Sequence, residues 1–286
     1  MKHLRRLLTA LTLLLIAALA AGPAFGSAII GRNVTAATLS IDRQGHAHVS
    51  YRSGGRSTSL VASGATNARA PSRSRPQVEF RIRYGVGGKG VCLPYDGPPL
   101  AWVLKAGKAP DGSYWALQQW VRLKPNYGGT RGAVELHLSH WRGPLAVLTM
   151  YQNWAYGKYR HLFGRLTYRG RGVYGFSATG HGSPLDGYGR NIYVDTFDSA
   201  YGKGWHRENS FLTHHRGKTL GDFCYGFFPH SGHPSGLGTR YRATVEGPGV
   251  TPDVIWAAND IGAYDATLQQ QMQALERSWG DPKCRT

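Results

Sequence analysis

The residue types that can do chemistry crowd into one stretch. Nine of the twelve histidines lie between His137 and His233, and five carboxylates (Asp186, Asp195, Asp198, Glu208 and Asp222) fall in the same region. In Glu135-Leu136-His137 the acid and the imidazole are two residues apart, which on a strand puts them on one face. Such a pair can act as a general base or take a divalent cation, and it can equally satisfy a polar sheet face. His140 has the opposite parity. Further on, Asn191, Tyr193 and Asp195 share one strand face, and Asp198-Ser199 follows as a turn. Two nearby carboxylates suit acid–base chemistry; the alternative is an Asp195 paired with one of the many arginines. In Trp205–Arg216, Glu208, Ser210 and His214 share a parity. The catalytic set this supports is His137, Asp195, Glu208 and His214, as in a secreted polysaccharide hydrolase or lyase.

Aromatic residues give a second clue. Trp115, Trp120, Trp141, Trp154 and Trp205 sit among Tyr, Asn, Gln and Gly, and Arg190 and Tyr193 fall in the glycine-flanked run 187–202. Flat rings stack on sugars, amides bond hydroxyls, and arginine takes anions, so these seven residues are the candidate ligand-binding set. The competing assignment is that many of the rings fill a β core.

No GxSxG, HExxH or P-loop pattern is present, and Cys92, Cys224 and Cys284 have no metal-ligand spacing, so a structural zinc site is not expected, no metal ligand is assigned and the cofactor is left unknown. Three pairings of those cysteines are open; the one preferred is a Cys224–Cys284 disulfide that pins the C-terminal tail. Residues 1–26 read as an export signal. Lys2, Arg5 and Arg6 precede the apolar run Leu7–Ala21, and Ala24-Phe25-Gly26 offers the small residues a signal peptidase reads. Cleavage is expected after Gly26, with Ala28 the second choice. The apolar run is shorter than a spanning helix needs, so a secreted protein without a membrane span is expected.

The chain of 286 residues carries a formal charge of +18, and loss of the three signal bases leaves +15. Residues 246–286 are net acidic, so the positive charge belongs to the body of the protein. Arginine outnumbers lysine 25 to 9, a bias that a GC-rich genome also produces. The run Tyr159–Arg171 alternates bases with aromatics, a stripe that can track a polyanion. Export disfavours nucleic acid and leaves cell-wall or extracellular polysaccharide as the partner.

The elements that must position these residues are mostly strands. Thr38–Ile41 and Ala47–Tyr51 alternate around the turn Asp42-Arg43-Gln44-Gly45, and a second hairpin turns at Asp111-Gly112 before Tyr114–Val121. Short β-branched or aromatic runs continue to residue 257, which predicts an all-β chain built as an antiparallel β-sandwich of jelly-roll type. Residues 27–61 form an N-terminal hairpin arm and 62–77 a flexible linker, and 78–286 are the main domain. Leu268, Met272, Leu275 and Trp279 line one helical face, giving one C-terminal α-helix over 265–279 with Asp265 as N-cap.

The stretches Asp111–Gln118, Leu136–Trp141 and Glu208–His214 resemble uncharacterised secreted proteins of high-GC Gram-positive bacteria. The resemblance covers about 90–270; it implies export and a bacterial source and carries over no functional residue. The leading expectation is an extracellular protein that binds an anionic or carbohydrate polymer of the cell envelope. The hydrolase or lyase is the alternative, and an adhesion or structural protein without a small ligand the third.

Overall fold

The computed structural model describes residues 27–64, 80–123, 132–155, 157, 159–168, 171–172, 177–178, 184–185, 192–199, 202–207, 211–213, 225–228, 238–246 and 251–278. The first eight strands are β1 (Ala28–Arg32), β2 (Val34–Ile41), β3 (Ala47–Ser53), β4 (Arg56–Gly64), β5 (Phe80–Tyr84), β6 (Val103–Lys108), β7 (Tyr114–Val121) and β8 (Val134–Trp141). The next five are β9 (Val147–Ala155), β10 (Tyr159–Tyr168), β11 (Arg171–Gly172), β12 (Ser177–Ala178) and β13 (Pro184–Leu185). The remainder are β14 (Ile192–Ser199), β15 (Gly202–Arg207), β16 (Phe211–Thr213), β17 (Tyr225–Phe228), β18 (Arg240–Val245) and β19 (Val254–Asn259), followed by helix α1 (Ala266–Ser278). Every strand pair among them is antiparallel. The chain is an all-β antiparallel sandwich with one C-terminal helix.

Two apolar cores divide the work. In the first half, sheet β2-β3-β4-β5 faces sheet β1-β8-β7-β6. Ile41, Val49 and Leu60 meet Trp115, Leu117, Leu136 and Leu138 between them. In the second half, β9 and β10 face the sheet β15-β14-β18-β19, with Met150, Leu162 and Leu166 against Val194, Tyr241 and Ala243. Alternation explains both. In β18, Tyr241, Ala243 and Val245 point inward while Arg240 and Arg242 point away.

The turns follow their sequence chemistry. The Asp42 carboxylate accepts the backbone N–H of Gln44 at 2.9 Å and of His46 at 2.8 Å, and Gly45 adopts φ 82°. Trp115 Nε1 donates to the Gly45 carbonyl at 2.9 Å, locking this turn onto β7. The Asp265 carboxylate accepts the Leu268 N–H at 3.0 Å, the predicted N-cap. The N-terminal segment is more than an arm. β4 runs on to Gly64, past the expected start of the linker, and Ala62 is fully buried. β1 pairs with β8, so residues 28–64 supply three of the four strands of one sheet and one edge strand of the other in the first sandwich.

Truncating a residue at the centre of the first core tests this packing. Leu138→Ala should lower the unfolding free energy by about 2–5 kcal/mol, read from the urea midpoint at unchanged slope. A shift under about 1 kcal/mol would show that the two sheets do not close on Leu138.

Candidate functional site

In sheet β1-β8-β7-β6, the strands β7 and β8 are buried on both faces. One face is apolar, with Trp115, Leu117, Leu136 and Leu138 in the first core. The period of two puts Gln118 and Trp120 of β7 beside Glu135 and His137 of β8 on the other, and all four are buried. That face meets the segments after β18 and before β19, which bring Glu246 and Asp253.

Asp253 is the hub. Its carboxylate accepts the Trp120 indole N–H at 2.9 Å and the Ser27 hydroxyl, and lies 3.2 Å from His137 Nδ1. Its backbone N–H donates to Gln118 Oε1 at 2.8 Å, while Gln118 Nε2 donates to its carbonyl at 3.1 Å. His137 Nδ1 also lies 2.9 Å from Ser27 Oγ, and Nε2 faces Glu135 Oε2 at 3.4 Å. Glu135 further takes Arg122 Nε at 2.9 Å and Arg32 Nε at 3.2 Å. Arg122 reaches Glu246 with its other edge. Trp120 stacks on the His137 ring, centroids 4.9 Å apart.

Protonation follows from this packing. Burial works against charge on His137, but Asp253, Glu135 and Glu246 outweigh it and raise its pKa. Both ring nitrogens face carboxylates, an arrangement that favours the imidazolium. Burial also works against Glu135, yet its bond to His137 and the Arg122 charge hold it below the usual carboxylate range. Burial and the Asp253 charge push Glu246 up to about 7. Ser27, His137 and Asp253 are the residue types of a nucleophilic triad, but Ser27 and Asp253 both sit on Nδ1. A triad needs its nucleophile and its carboxylate on opposite ring nitrogens. With His137 fully buried and doubly paired, the cluster is arranged to join sheets rather than to move a proton to a substrate.

The other predicted residues fall in several places. Asp195 is buried on β14 between Arg207 Nε at 3.0 Å and Arg242 Nε at 2.9 Å, so it neutralises arginines. Tyr193 is buried under the guanidinium groups of Arg207 at 4.0 Å and Arg122 at 4.8 Å, linking Asp195 to the His137 cluster. Trp115, Trp120, Trp141 and Trp154 are all buried and face packing partners. Trp205 is half-exposed on β15. Glu208, His214, Arg190, Cys224 and Cys284 lie outside the described residues. His140 takes the opposite face of β8, stacked on Trp115 at 3.8 Å with Nε2 3.0 Å from Ser113 Oγ; burial lowers its pKa to about 4 and keeps it neutral. Cys92 is a half-buried free thiol. Among the described residues, no group of three or more His, Cys, Asp and Glu side chains is placed to hold a metal ion. No described helix is long and apolar enough to cross a membrane.

Sequence reasoning missed Ser27, Arg122, Glu246 and Asp253. It also missed a second arrangement, on the outer face of β14, β15 and β18. Phe197 pairs with Trp205 on one side and with Arg240 on the other, and their rings meet edge-on at 5.3 Å. The exposed Arg240 guanidinium lies 3.8 Å from the Phe197 centroid and 5.5 Å from that of Trp205. Arg242 lies 4.4 Å from Trp205. The alternation in Arg240-Tyr241-Arg242 was the available signal. A groove of about 470 Å³ opens elsewhere, between Pro98–Ala101 and the start of β9, with largely apolar walls. Compared with protein-family models, with curated proteins and with solved structures, the chain matches none.

Two outcomes test the cluster. Asp253→Ala leaves the imidazolium and the Trp120 N–H without their acceptor, and should cost about 3–5 kcal/mol. It should also split thermal unfolding into two transitions, one per core; a single unshifted transition would contradict the hub. The second outcome is a pH dependence, for a chain in which Ser27 is peptide-bonded to residue 26. Glu246 has a folded pKa of about 7 against an ordinary 4.5, so its contribution is full below 4.5 and lost as pH rises through 7. His137, raised from 6.5, has the same sign and is lost above that value. Glu135, lowered from 4.5, is lost only on the acid side. The melting temperature should therefore be higher at pH 5.5 than at pH 8, and Glu246→Gln should flatten the difference.

Proposed function

We propose that the protein is secreted and binds an anionic polysaccharide or related polyanion of the cell envelope, using the outer face of β14, β15 and β18. The observation that carries this reading is the exposed Arg240 guanidinium stacked on Phe197 and Trp205. Among the described residues Arg240 has no carboxylate partner, whereas Arg242 and Arg207 are held by Asp195. Stacking fixes the plane of the guanidinium and leaves its N–H edge for a carboxylate, sulfate or phosphate. Exposed Lys203 at the start of β15 extends the positive surface, and the half-exposed Trp205 ring supplies a flat surface beside it. The export signal and the basic body support the same reading. The hydrolase alternative draws less support, because His137 and Asp195 are buried in ion pairs.

Retention on purified cell wall should be strong in low salt and should fall as salt rises, since exposed charges are screened. Arg240→Ala should weaken retention several-fold while leaving the melting temperature within a degree or two, and Arg240→Lys should restore only part of it. Retention that ignores both salt and Arg240 would exclude this surface.

A further inference from the structure

The register of the second sheet draws one row across its strands. Trp205 on β15 lies opposite Phe197 on β14, Phe197 opposite Arg240 on β18, and Arg240 opposite Asn259 on β19. Directly opposed residues share a face, so the row presents ring, ring, guanidinium and amide on the outer surface. Arg240 and Asn259 are exposed, and Phe197 and Trp205 are partly so. The row behind it is buried where Asp195 accepts Arg242 Nε at 2.9 Å. The Arg242 guanidinium carbon then lies 4.4 Å from the Trp205 ring centroid, and Phe197 meets the same ring edge-on. The indole is steadied by an arginine whose charge is already matched.

The two groups that can take a ligand stand closer together than their strands do. β15 and β18 flank β14, two strand spacings or about 9–10 Å apart. Yet Arg240 leans over Phe197 until its guanidinium carbon is 5.5 Å from the Trp205 centroid. A ring-binding surface and an anion-binding edge at that separation address one ligand unit rather than two. A uronic acid carries its carboxylate one bond from the pyranose ring. With that ring in contact with the exposed part of the indole, at about 3.5–4.0 Å, the carboxylate comes within reach of Arg240. It matches the guanidinium fork with two parallel N–H···O bonds. A phosphodiester-linked polyol has the charge but no ring for Trp205, and a neutral glycan has the ring but no charge for Arg240. Asn259 stands one strand spacing beyond Arg240, about 4.7–4.9 Å, where its amide can bond a hydroxyl of the next unit.

We propose that this face selects polyuronates, polymers whose sugar rings bear their own carboxylates, and that the polymer lies across the strands along the row from Trp205 to Asn259. The inference rests on the polyanion reading above and narrows it to one class. Trp205 receives the sugar ring, Arg240 its carboxylate, and Asn259 a hydroxyl of the following unit. Asp195 touches no ligand; it is a positioning residue that acts through Arg242 on the indole. Because both reading groups are held by packing before the ligand arrives, little ordering opposes binding.

The test uses three short probes at one salt concentration. Trigalacturonate has rings and carboxylates, its carboxyl-reduced form has rings alone, and tripolyphosphate has charge alone. Trigalacturonate should bind about tenfold tighter than the reduced form. Trp205→Ala should weaken trigalacturonate about tenfold and tripolyphosphate by less than about twofold. Arg240→Ala should weaken both charged probes, and Asn259→Ala should weaken trigalacturonate only. Where Trp205→Ala does not fold, Trp205→Leu keeps the packing and removes the flat ring. Equal binding of trigalacturonate and its reduced form, or a Trp205 effect that is the same on both charged probes, would overturn this inference and leave the polyanion reading standing. Charged probes that bind as well to Arg240→Ala as to the parent protein would overturn both.

Discussion

The two halves of this protein are joined through the Asp253 carboxylate and its neighbours. Each half has its own apolar core, and the face of β7 and β8 turned away from the first core is polar. Asp253 is bonded by Trp120 and Ser27, paired with His137, and clamped at its backbone by Gln118. Apolar burial is non-directional, whereas these bonds form only within a narrow range of distance and angle. A buried polar joint contributes less net stability than an apolar one of the same area, because desolvation opposes the Coulomb gain. Its contribution here is position. Once Glu246 and Asp253 are fixed against β7 and β8, β18 and β19 are fixed too, and with them the outward-facing arginines.

Two histidines on one strand show how far environment decides chemistry. His137 and His140 are three residues apart on β8 and both are buried. His137 faces three carboxylates, which favour its charged form; His140 lies against Trp115 with a serine hydroxyl for company and is neutral. Neither is presented to solvent, so the histidine density that drew attention to this stretch reflects, at these two positions, how a polar sheet face is made dry. The same logic applies to Asp195, whose two arginines leave it fully compensated.

What could be read from the sequence was local. The turns at Asp42–Gly45 and Asp111–Gly112, the span of β7, the Asp265 cap and the shared face of Glu135 and His137 depend on neighbours within a few residues, and each appears in the structure. β4 was not legible, because Arg56–Gly64 is rich in serine and lacks the alternation that marks a half-buried strand. The fate of the tryptophans was not legible either: a ring between polar residues looks the same whether it stacks on a sugar or on a histidine, and Trp115 and Trp120 stack on His140 and His137. The Asp253 hub was beyond reach, since its partners lie 116 to 226 residues away and no local pattern records such a pairing.

The joint also bears on how the surface meets other molecules. Among the described residues, Glu135, Asp195, Glu246 and Asp253 are buried, against one comparably buried arginine, Arg207. These carboxylates are committed to partners: Asp195 to Arg207 and Arg242, Glu135 to Arg122 and Arg32, Glu246 to Arg122 and Asp253 to His137. Arg240 shows the consequence at one point. Asp195 compensates Arg207 and Arg242 from beneath, and its two oxygens are then occupied, so among the described residues Arg240, next on the same face, lies against the rings of Phe197 and Trp205 without a carboxylate. An aromatic face holds a guanidinium without neutralising it. Among the described residues, a fold that commits its carboxylates to internal joints leaves Arg240 ordered without a carboxylate, and that charge and geometry together are the basis of the polyanion binding proposed.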